Sequence, residues 1–388
     1  MNNKWALYSM AFGNFAVGIG SLVIAGVLQP IADTFQTSLS AIGQLITIYA
    51  LAYAIGSPLL IAFTGSVQRR TLLLVGLGLL VVGNVMAVIA SSYTILFIGR
   101  IVMALGAAIF TPVASAVAAA ISSPEDRGKA IALVFAGFTA ATALGLPLGT
   151  YVGLNFGWRM TFGAVAVLAV IAFGFVYQYV SPEIETPRVN LAIFGQVLKN
   201  GMFVLALAVT LTQMAAQLSL FTFITPYVQA QTALGATGIT LLFLLNGVAG
   251  FVGNLWGGSL TDQYGARKVI LAFLILLGIS FIAFPLIQTS IAIGAIASVV
   301  WGLVGLGFNA PQQTRLVKLA PQLSTAMLAL NASFLYIGIS MGSIVGGAIV
   351  DSGNLLRLPW AALGLTLLTI VIFLATYRAE TKISAIQS

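Results

Sequence analysis

The sequence predicts an all-α membrane protein whose twelve transmembrane helices form two pseudo-symmetric bundles of six. Three observations carry that prediction. Of 388 residues, 60% are hydrophobic and only 6% charged, against roughly 25% charged in an ordinary soluble domain. Apolar stretches of about 20 residues, the length that crosses the hydrocarbon core as a helix, follow one another along the chain with short polar breaks. The second half also repeats landmarks of the first.

The first predicted span, 5–29, follows the single Lys4 and lacks a small-residue cleavage site, so it reads as a retained helix and not a signal peptide. Spans at 39–63, 71–90, 94–120, 128–153 and 160–180 complete an N-terminal six-helix bundle, 1–180. The hydrophilic segment 181–200, "SPEIETPRVNLAIFGQVLKN", carries two prolines and mixed charge and reads as a cytoplasmic linker. Spans at 201–226, 236–259, 268–288, 291–313, 324–350 and 359–378 form the C-terminal bundle, 201–388.

Charge sets the expected orientation. With a cytoplasmic N-terminus, the inside loops and tails receive Lys4, Arg69, Arg70, Arg127, Lys129, Arg188, Lys199, Arg267, Lys268, Arg315, Lys318, Arg378 and Lys382, and the outside loops only Arg159 and Arg357. The positive-inside rule then places both termini in the cytoplasm. The net charge of +8 therefore follows topology, and nucleic acid is not expected as a partner.

Cysteine and histidine are absent, which removes disulfides, thiolate and imidazole metal sites and His-based acid/base chemistry. Every acid (Asp33, Glu125, Asp126, Glu183, Glu185, Asp262, Asp351, Glu380) lies in or beside a predicted loop or tail. No enzyme chemistry, cofactor or metal is expected. Arg69-Arg70 corresponds to Arg267-Lys268, Pro112 to Pro311, Pro124 to Pro321, and Gly145/Gly149 to Gly342/Gly346, at nearly constant offset. Tandem six-helix repeats of this kind place a substrate site near the midplane between the halves.

Between the eighth and ninth spans stands Gly258-x-Leu260-x-Asp262-x-x-Gly265-x-Arg267-Lys268. Gly265 permits a tight turn, Asp262 suits a helix N-terminus, and the basic pair anchors the cytoplasmic face. This stretch resembles the signature loop of the major facilitator superfamily, and the resemblance implies the major facilitator fold and a conformational latch formed by Asp262, Gly265, Arg267, Lys268, Arg69 and Arg70. In the first half the matching positions hold Gly65 and Ile61, so the acidic member is missing there. The fourth span, Leu96-x-x-x-Arg100-x-x-Met103-Ala104-x-Gly106-Ala107-Ala108, is similar to the superfamily's second motif. An arginine about two turns inside a membrane is a functional-site candidate, with snorkelling to the interface as the plain alternative.

"GFTAATALGLPLGTYVG" in the fifth span looks like a degenerate form of the Gly-Pro motif of drug:proton antiporters, although close helix packing also explains its glycines. Together with "SPLLIAFTGSVQRRTLLL", "PEDRGKAIALVFAGFTAATALGLPLGTYVG" and "GWRMTF", the chain resembles the branch of arabinose-type sugar efflux permeases, purine base and nucleoside efflux proteins and chloramphenicol-resistance exporters. The glutamate often found in the first helix of that branch is replaced here by Ser21. Proton coupling is therefore expected to use Arg100 with Asp33 or Asp351, or to be absent.

Candidate substrate-binding residues are Asn14, Tyr49, Tyr53, Arg100, Phe110, Gln213, Gln217, Asn246, Trp301, Asn309, Asn331 and Tyr336. Ser21, Thr139, Thr142, Thr222 and Gln312 also face the expected cavity. Only Arg100 carries charge, so amides, hydroxyls and aromatic rings suit a small neutral organic substrate. Each such residue also has a structural reading, as a bond to a neighbouring helix. The expectation is a monomeric transporter of the bacterial cytoplasmic (inner) membrane, in contact with membrane lipids and exporting a purine-like solute in exchange for protons. A multidrug or sugar efflux pump, an uncoupled facilitator and a non-transporting membrane sensor remain as alternatives.

Overall fold

In a computed structural model, residues 3–123, 126–184 and 191–387 are described. Pro124, Glu125, Glu185 and Arg188, used above for the repeat and the charge pattern, lie outside them, as do the side chains of Arg378, Glu380 and Lys382. The described residues are helical with no strand, and eleven helices are long and apolar enough to cross a membrane, or twelve when one bent pair counts as a single span. The chain divides into two compact units, Met1–Val189 and Asn190–Ser388.

The first unit contains α1 (Asn3–Leu22), α2 (Ile24–Phe35), α3 (Leu39–Phe63), α4 (Arg69–Val88), α5 (Tyr93–Ala120), α6 (Arg127–Ala140), α7 (Leu146–Phe156) and α8 (Trp158–Tyr179). The expected first span is a broken one. Helices α1 and α2 meet at 47°, and the span runs on to Phe35 instead of ending at 29, so Asp33 sits in the last turn of a helix. The break leaves the last carbonyls of α1 without helical partners. The fifth span gives way around the same place: α6 passes through a π-helical turn, Ala141–Gly145, into α7.

The glycines of that span explain the pairing. A Cβ at Gly149 would lie 2.7 Å from Val23, the residue at the break, and one at Gly153 would overlap Val27. Only glycine lets the two irregular helices approach this closely.

The second unit contains α9 (Leu191–Lys199), α10 (Gly201–Phe221), α11 (Ile224–Gln231), α12 (Ala236–Tyr264), α13 (Ala266–Ala283), α14 (Ile291–Gly307), α15 (Asn309–Leu319), α16 (Ser324–Asp351) and α17 (Leu358–Gln387). It repeats the design. The seventh span ends at Phe221 and resumes as α11, and opposite this break stands the ladder Gly338, Gly342 and Gly346 of α16, whose added Cβ atoms would run into the carbonyls of Leu211, Ala215 and Ser219.

The expected linker is partly helical. Helix α9 turns Phe194 and Val197 onto a cluster with Ala206, Leu207, Leu316 and Met327, burying apolar surface that a solvated linker would expose. Helix α12 extends to Tyr264, and Gly265 then takes φ 83°, capping α12 and opening α13 in one residue. Large apolar chains such as Phe63, Val167, Leu148, Ile296 and Val371 are exposed, as befits helices whose outer solvent is lipid.

Candidate functional site

Each unit carries a buried polar cluster. In the first, Arg100 of α5 is fully buried. Its Nη1 donates to the Gly20 carbonyl, Nη2 to the Ser21 carbonyl at 3.0 Å and Nε to the Leu45 carbonyl at 3.2 Å, while Met103 Sδ lies 3.7 Å from Nη1. Gly20 and Ser21 supply carbonyls that the end of α1 leaves open, so the guanidinium stands in for the missing turn of helix. Its flat face lies 4.3 Å from the ring centre of Tyr49, a favourable placement for a desolvated cation. A buried arginine costs a few kcal/mol in a membrane, and charge-assisted bonds of about 1.5–3 kcal/mol each offset that cost.

The Tyr49 hydroxyl is buried without a partner among the described residues. Tyr53 meets Thr111, Thr111 donates to Asn14 Oδ1 at 2.8 Å, and Asn14 Nδ2 donates to the Val134 carbonyl at 3.0 Å. Asn14 and Tyr53 thus tie α1, α3, α5 and α6 together. Thr139, Thr142 and Ser21 bond carbonyls one turn back in their own helices. Phe110 packs into the space above Gly13 and Gly76.

In the second unit, Gln213 and Gln217 lie one turn apart on α10, both buried. Gln213 Nε2 donates to the Gly305 carbonyl at 3.2 Å, and its Oε1 is buried without a partner among the described residues. Gln217 Oε1 accepts from Trp301 Nε1 at 3.0 Å, and among the described residues Nε2 has only the Met214 sulfur at 3.9 Å. Trp301 is the hub of an aromatic box, with Phe281, Phe221 and Phe284 edge-on at 5.3, 5.8 and 5.9 Å.

A second polar chain begins at Asn331 of α16, whose Oδ1 accepts from Thr210 at 2.6 Å. Gln312 Nε2 donates to Thr210 Oγ1 at 3.1 Å and to the Ala206 carbonyl at 2.8 Å, and its Oε1 accepts from Arg315 at 3.4 Å. Asn246 donates to the Ser298 carbonyl at 2.9 Å, binding α12 to α14. Tyr336 is buried, and Asn309 is half-buried at the first residue of α15.

Asp33 and Asp351 are exposed at the ends of α2 and α16, and Gln29 donates to Asp33 at 2.7 Å. Arg70 donates to the Tyr177 carbonyl and stacks 4.5 Å from the Tyr177 ring, joining the start of α4 to the end of α8. Arg267 repeats the stacking 4.7 Å from Tyr377. Arg69 is buried and donates to the Gly65 carbonyl at 3.3 Å, whereas Asp262 and Lys268 are exposed. Outside the spans, Asp126 has its carboxyl held below the ordinary range by the hydrogen bond and charge of Lys129 at 2.9 Å, in a fully exposed pair.

Sequence reasoning placed Arg315 in a loop, but it is buried in α15. The tenth span continues helically to Leu319, and the spacing of three from Gln312 puts both on one helix face. Thr111 and Thr210 also went unremarked. An isolated threonine in an apolar run carries no signal until its partners on other helices are known.

Two units of membrane-spanning helices, each with a broken leading helix against a glycine ladder, define a polytopic membrane protein built from a duplicated six-helix repeat. The family model described as the Major Facilitator Superfamily matches residues 10–322 and 205–387. The chain belongs to that superfamily and is a membrane transporter. It is 31% identical over 387 residues to the MFS-type transporter YbcL of Bacillus subtilis, covering 98% of both chains. It is 30% identical over 353 residues to the inner membrane transport protein YdhP of Escherichia coli K12, covering 91% of this chain and 90% of that one. Among solved structures, a D-xylose-proton symporter superposes with a TM-score of 0.79 at 14% identity, covering 96% of this chain and 97% of that one. A bacterial homologue of the human lysosomal transporter Spinster, inward-facing and unoccupied, gives 0.73 at 17%, with the same coverage. Likeness at these identities bears on fold alone.

Proposed function

We propose that this transporter exports a small neutral organic solute by alternating access, with purine bases and nucleosides the favoured class, in exchange for protons. It acts in the bacterial cytoplasmic membrane with both termini inside, in the branch of sugar, nucleoside and chloramphenicol-type exporters that its motifs resemble. The observation that carries the substrate reading is the Gln213–Gln217 pair. One buried amide keeps an unused acceptor, its neighbour one turn along keeps a nearly unused donor, and that neighbour, Gln217, bonds Trp301 of the aromatic box. A planar solute with adjacent donor and acceptor edges and no net charge answers that pattern. Buried polar atoms without partners are few in native proteins and call for a reason.

The inner-membrane assignment draws on YdhP, whose name gives that location, and on the positive-inside pattern. For antiport, Asp33 and Asp351, exposed in the last turns of α2 and α16, are the candidate acids. A second reading, an uncoupled facilitator, is favoured by the bonds of Arg100, which end on carbonyls and a thioether and not on a carboxylate.

Proteoliposomes holding labelled hypoxanthine, inosine, arabinose or chloramphenicol test both readings. Purine export that accelerates under an imposed proton gradient and falls at least tenfold in Arg100→Ala is the expected result. Purine equilibration indifferent to the gradient would leave the facilitator, and movement of chloramphenicol alone would replace the purine assignment.

A further inference from the structure

The cluster around Arg100 holds more donors than its neighbours use. A guanidinium carries five N–H groups. Four of those of Arg100 go to the Gly20, Ser21 and Leu45 carbonyls and the Met103 sulfur, and the second hydrogen of Nη2 has no partner among the described residues. The Tyr49 hydroxyl beside it is buried and also unpartnered, on a ring whose centre lies 4.3 Å from the guanidinium carbon. That hydroxyl is within electrostatic reach of the guanidinium, so the two unused donors belong to one neighbourhood.

Other unpartnered oxygens of the first unit say less. Thr47 and Thr150 carry short hydroxyls, and a helical threonine reaches the carbonyl one turn back by turning about χ1. Asn84 leaves Oδ1 without a partner but is tied to the Leu80 carbonyl through its Nδ2. A phenol oxygen stands at the far end of a rigid ring and cannot fall back on its own helix. Sealing such a donor from water without an acceptor is costly, and in native proteins it calls for a reason. Tyr227 of the second unit is a buried, unpartnered phenol too. Its ring packs on Phe284, and no cation lies over it among the described residues.

We propose that Tyr49 and Arg100 together receive a carbonyl oxygen of the solute, which makes the carrier selective for 6-oxopurines such as hypoxanthine over 6-aminopurines such as adenine. One carbonyl oxygen has two lone pairs and accepts from both donors, and the bond from the guanidinium is charge-assisted. An exocyclic amine in the same place sets its own N–H groups against two donors. Sites that rely on buried hydrogen bonds reject such mismatches strongly, because their polar groups are left unpaired. The inference rests on the purine reading above. It adds Tyr49 as a specificity-determining residue and fixes the polarity of the group that Tyr49 meets.

The purified full-length protein in detergent is titrated calorimetrically at neutral pH with hypoxanthine, unsubstituted purine and adenine, which carry an acceptor, a hydrogen and a donor at the same ring carbon. Hypoxanthine is expected to bind at least about tenfold tighter than adenine, with purine between them. Tyr49→Phe keeps the ring over Arg100 and removes only the hydroxyl. It should weaken hypoxanthine about tenfold, the worth of one buried hydrogen bond, with adenine and the melting temperature unchanged. Tyr227→Phe, the matched phenol of the second unit, should alter neither ligand. Equal affinities for hypoxanthine and adenine overturn the proposal and leave the purine reading standing. Equal weakening of both by Tyr49→Phe also overturns it, as does no weakening of either, since the hydroxyl would then serve packing or an internal water. Binding of none of the three removes the purine reading and this inference with it. Should Tyr49→Phe not survive purification, the wild-type ranking of the three ligands decides without any variant.

Discussion

Arg100 shows how one side chain serves two ends. Its donors replace helical partners at the break in α1 and also reach α3 through the Leu45 carbonyl, so its removal loosens the bend as well as the charge. Arg100→Ala should lower the melting midpoint by several degrees, about 2–3 kcal/mol for the lost charge-assisted bonds. Arg100→Lys should do nearly as badly, because one compact ammonium cannot span carbonyls on two helices as a planar fork does. A lysine variant as stable and active as wild type would reduce Arg100 to a point charge. Gln213 poses the opposite case. Gln213→Met removes an acceptor that is already unpartnered and also the Nε2 bond to the Gly305 carbonyl, a loss of about 1 kcal/mol, so the melting midpoint should fall by only about 2–4 °C. The half-saturation concentration for purine should rise about tenfold, the worth of one buried hydrogen bond near 1.4 kcal/mol. A large stability loss with unchanged transport would make it a packing residue.

The helices themselves depend on where backbones touch. Gly346 faces the Ser219 carbonyl and the Phe223 ring beside the break between α10 and α11, and a backbone carbonyl cannot step aside as a side-chain end can. Gly346→Val should therefore destabilise by about 1–3 kcal/mol or more, read as lost melting temperature or lost expression. Gly174→Ala, in open space on α8, should be neutral or slightly stabilising, since alanine is the better helix former by about 1 kcal/mol. The glycine spacing was legible in the sequence, as was the turn at Gly265, because only a few residues fit those geometries. The helix breaks at Val23 and Phe223 were not. Gly20 and Gly26 flank the first, and Pro226, with no N–H to offer the Thr222 carbonyl, follows the second. But Pro58 and Pro112 lie inside continuous helices, and the glycine ladders that pack beside both breaks are more than a hundred residues away.

For the whole molecule, the all-helical membrane fold was legible because bilayer thickness imposes a length on every apolar run, whereas helix ends were legible only to within several residues. Buried partners such as Thr111, Thr210 and Arg315 depend on tertiary neighbours that no local pattern encodes. Orientation is the remaining molecular property that the sequence argues, and the absence of cysteine makes it measurable with a single introduced thiol. Ser66, between α3 and α4, and Ser91, between α4 and α5, are both exposed and lie at opposite ends of one span. If basic loops stay inside, Ser91→Cys in intact cells should react with a membrane-impermeant maleimide, and Ser66→Cys should react only after the membrane is permeabilised. The reverse pattern would put Arg69 and Arg70 outside and overturn the orientation that the basic loops predict.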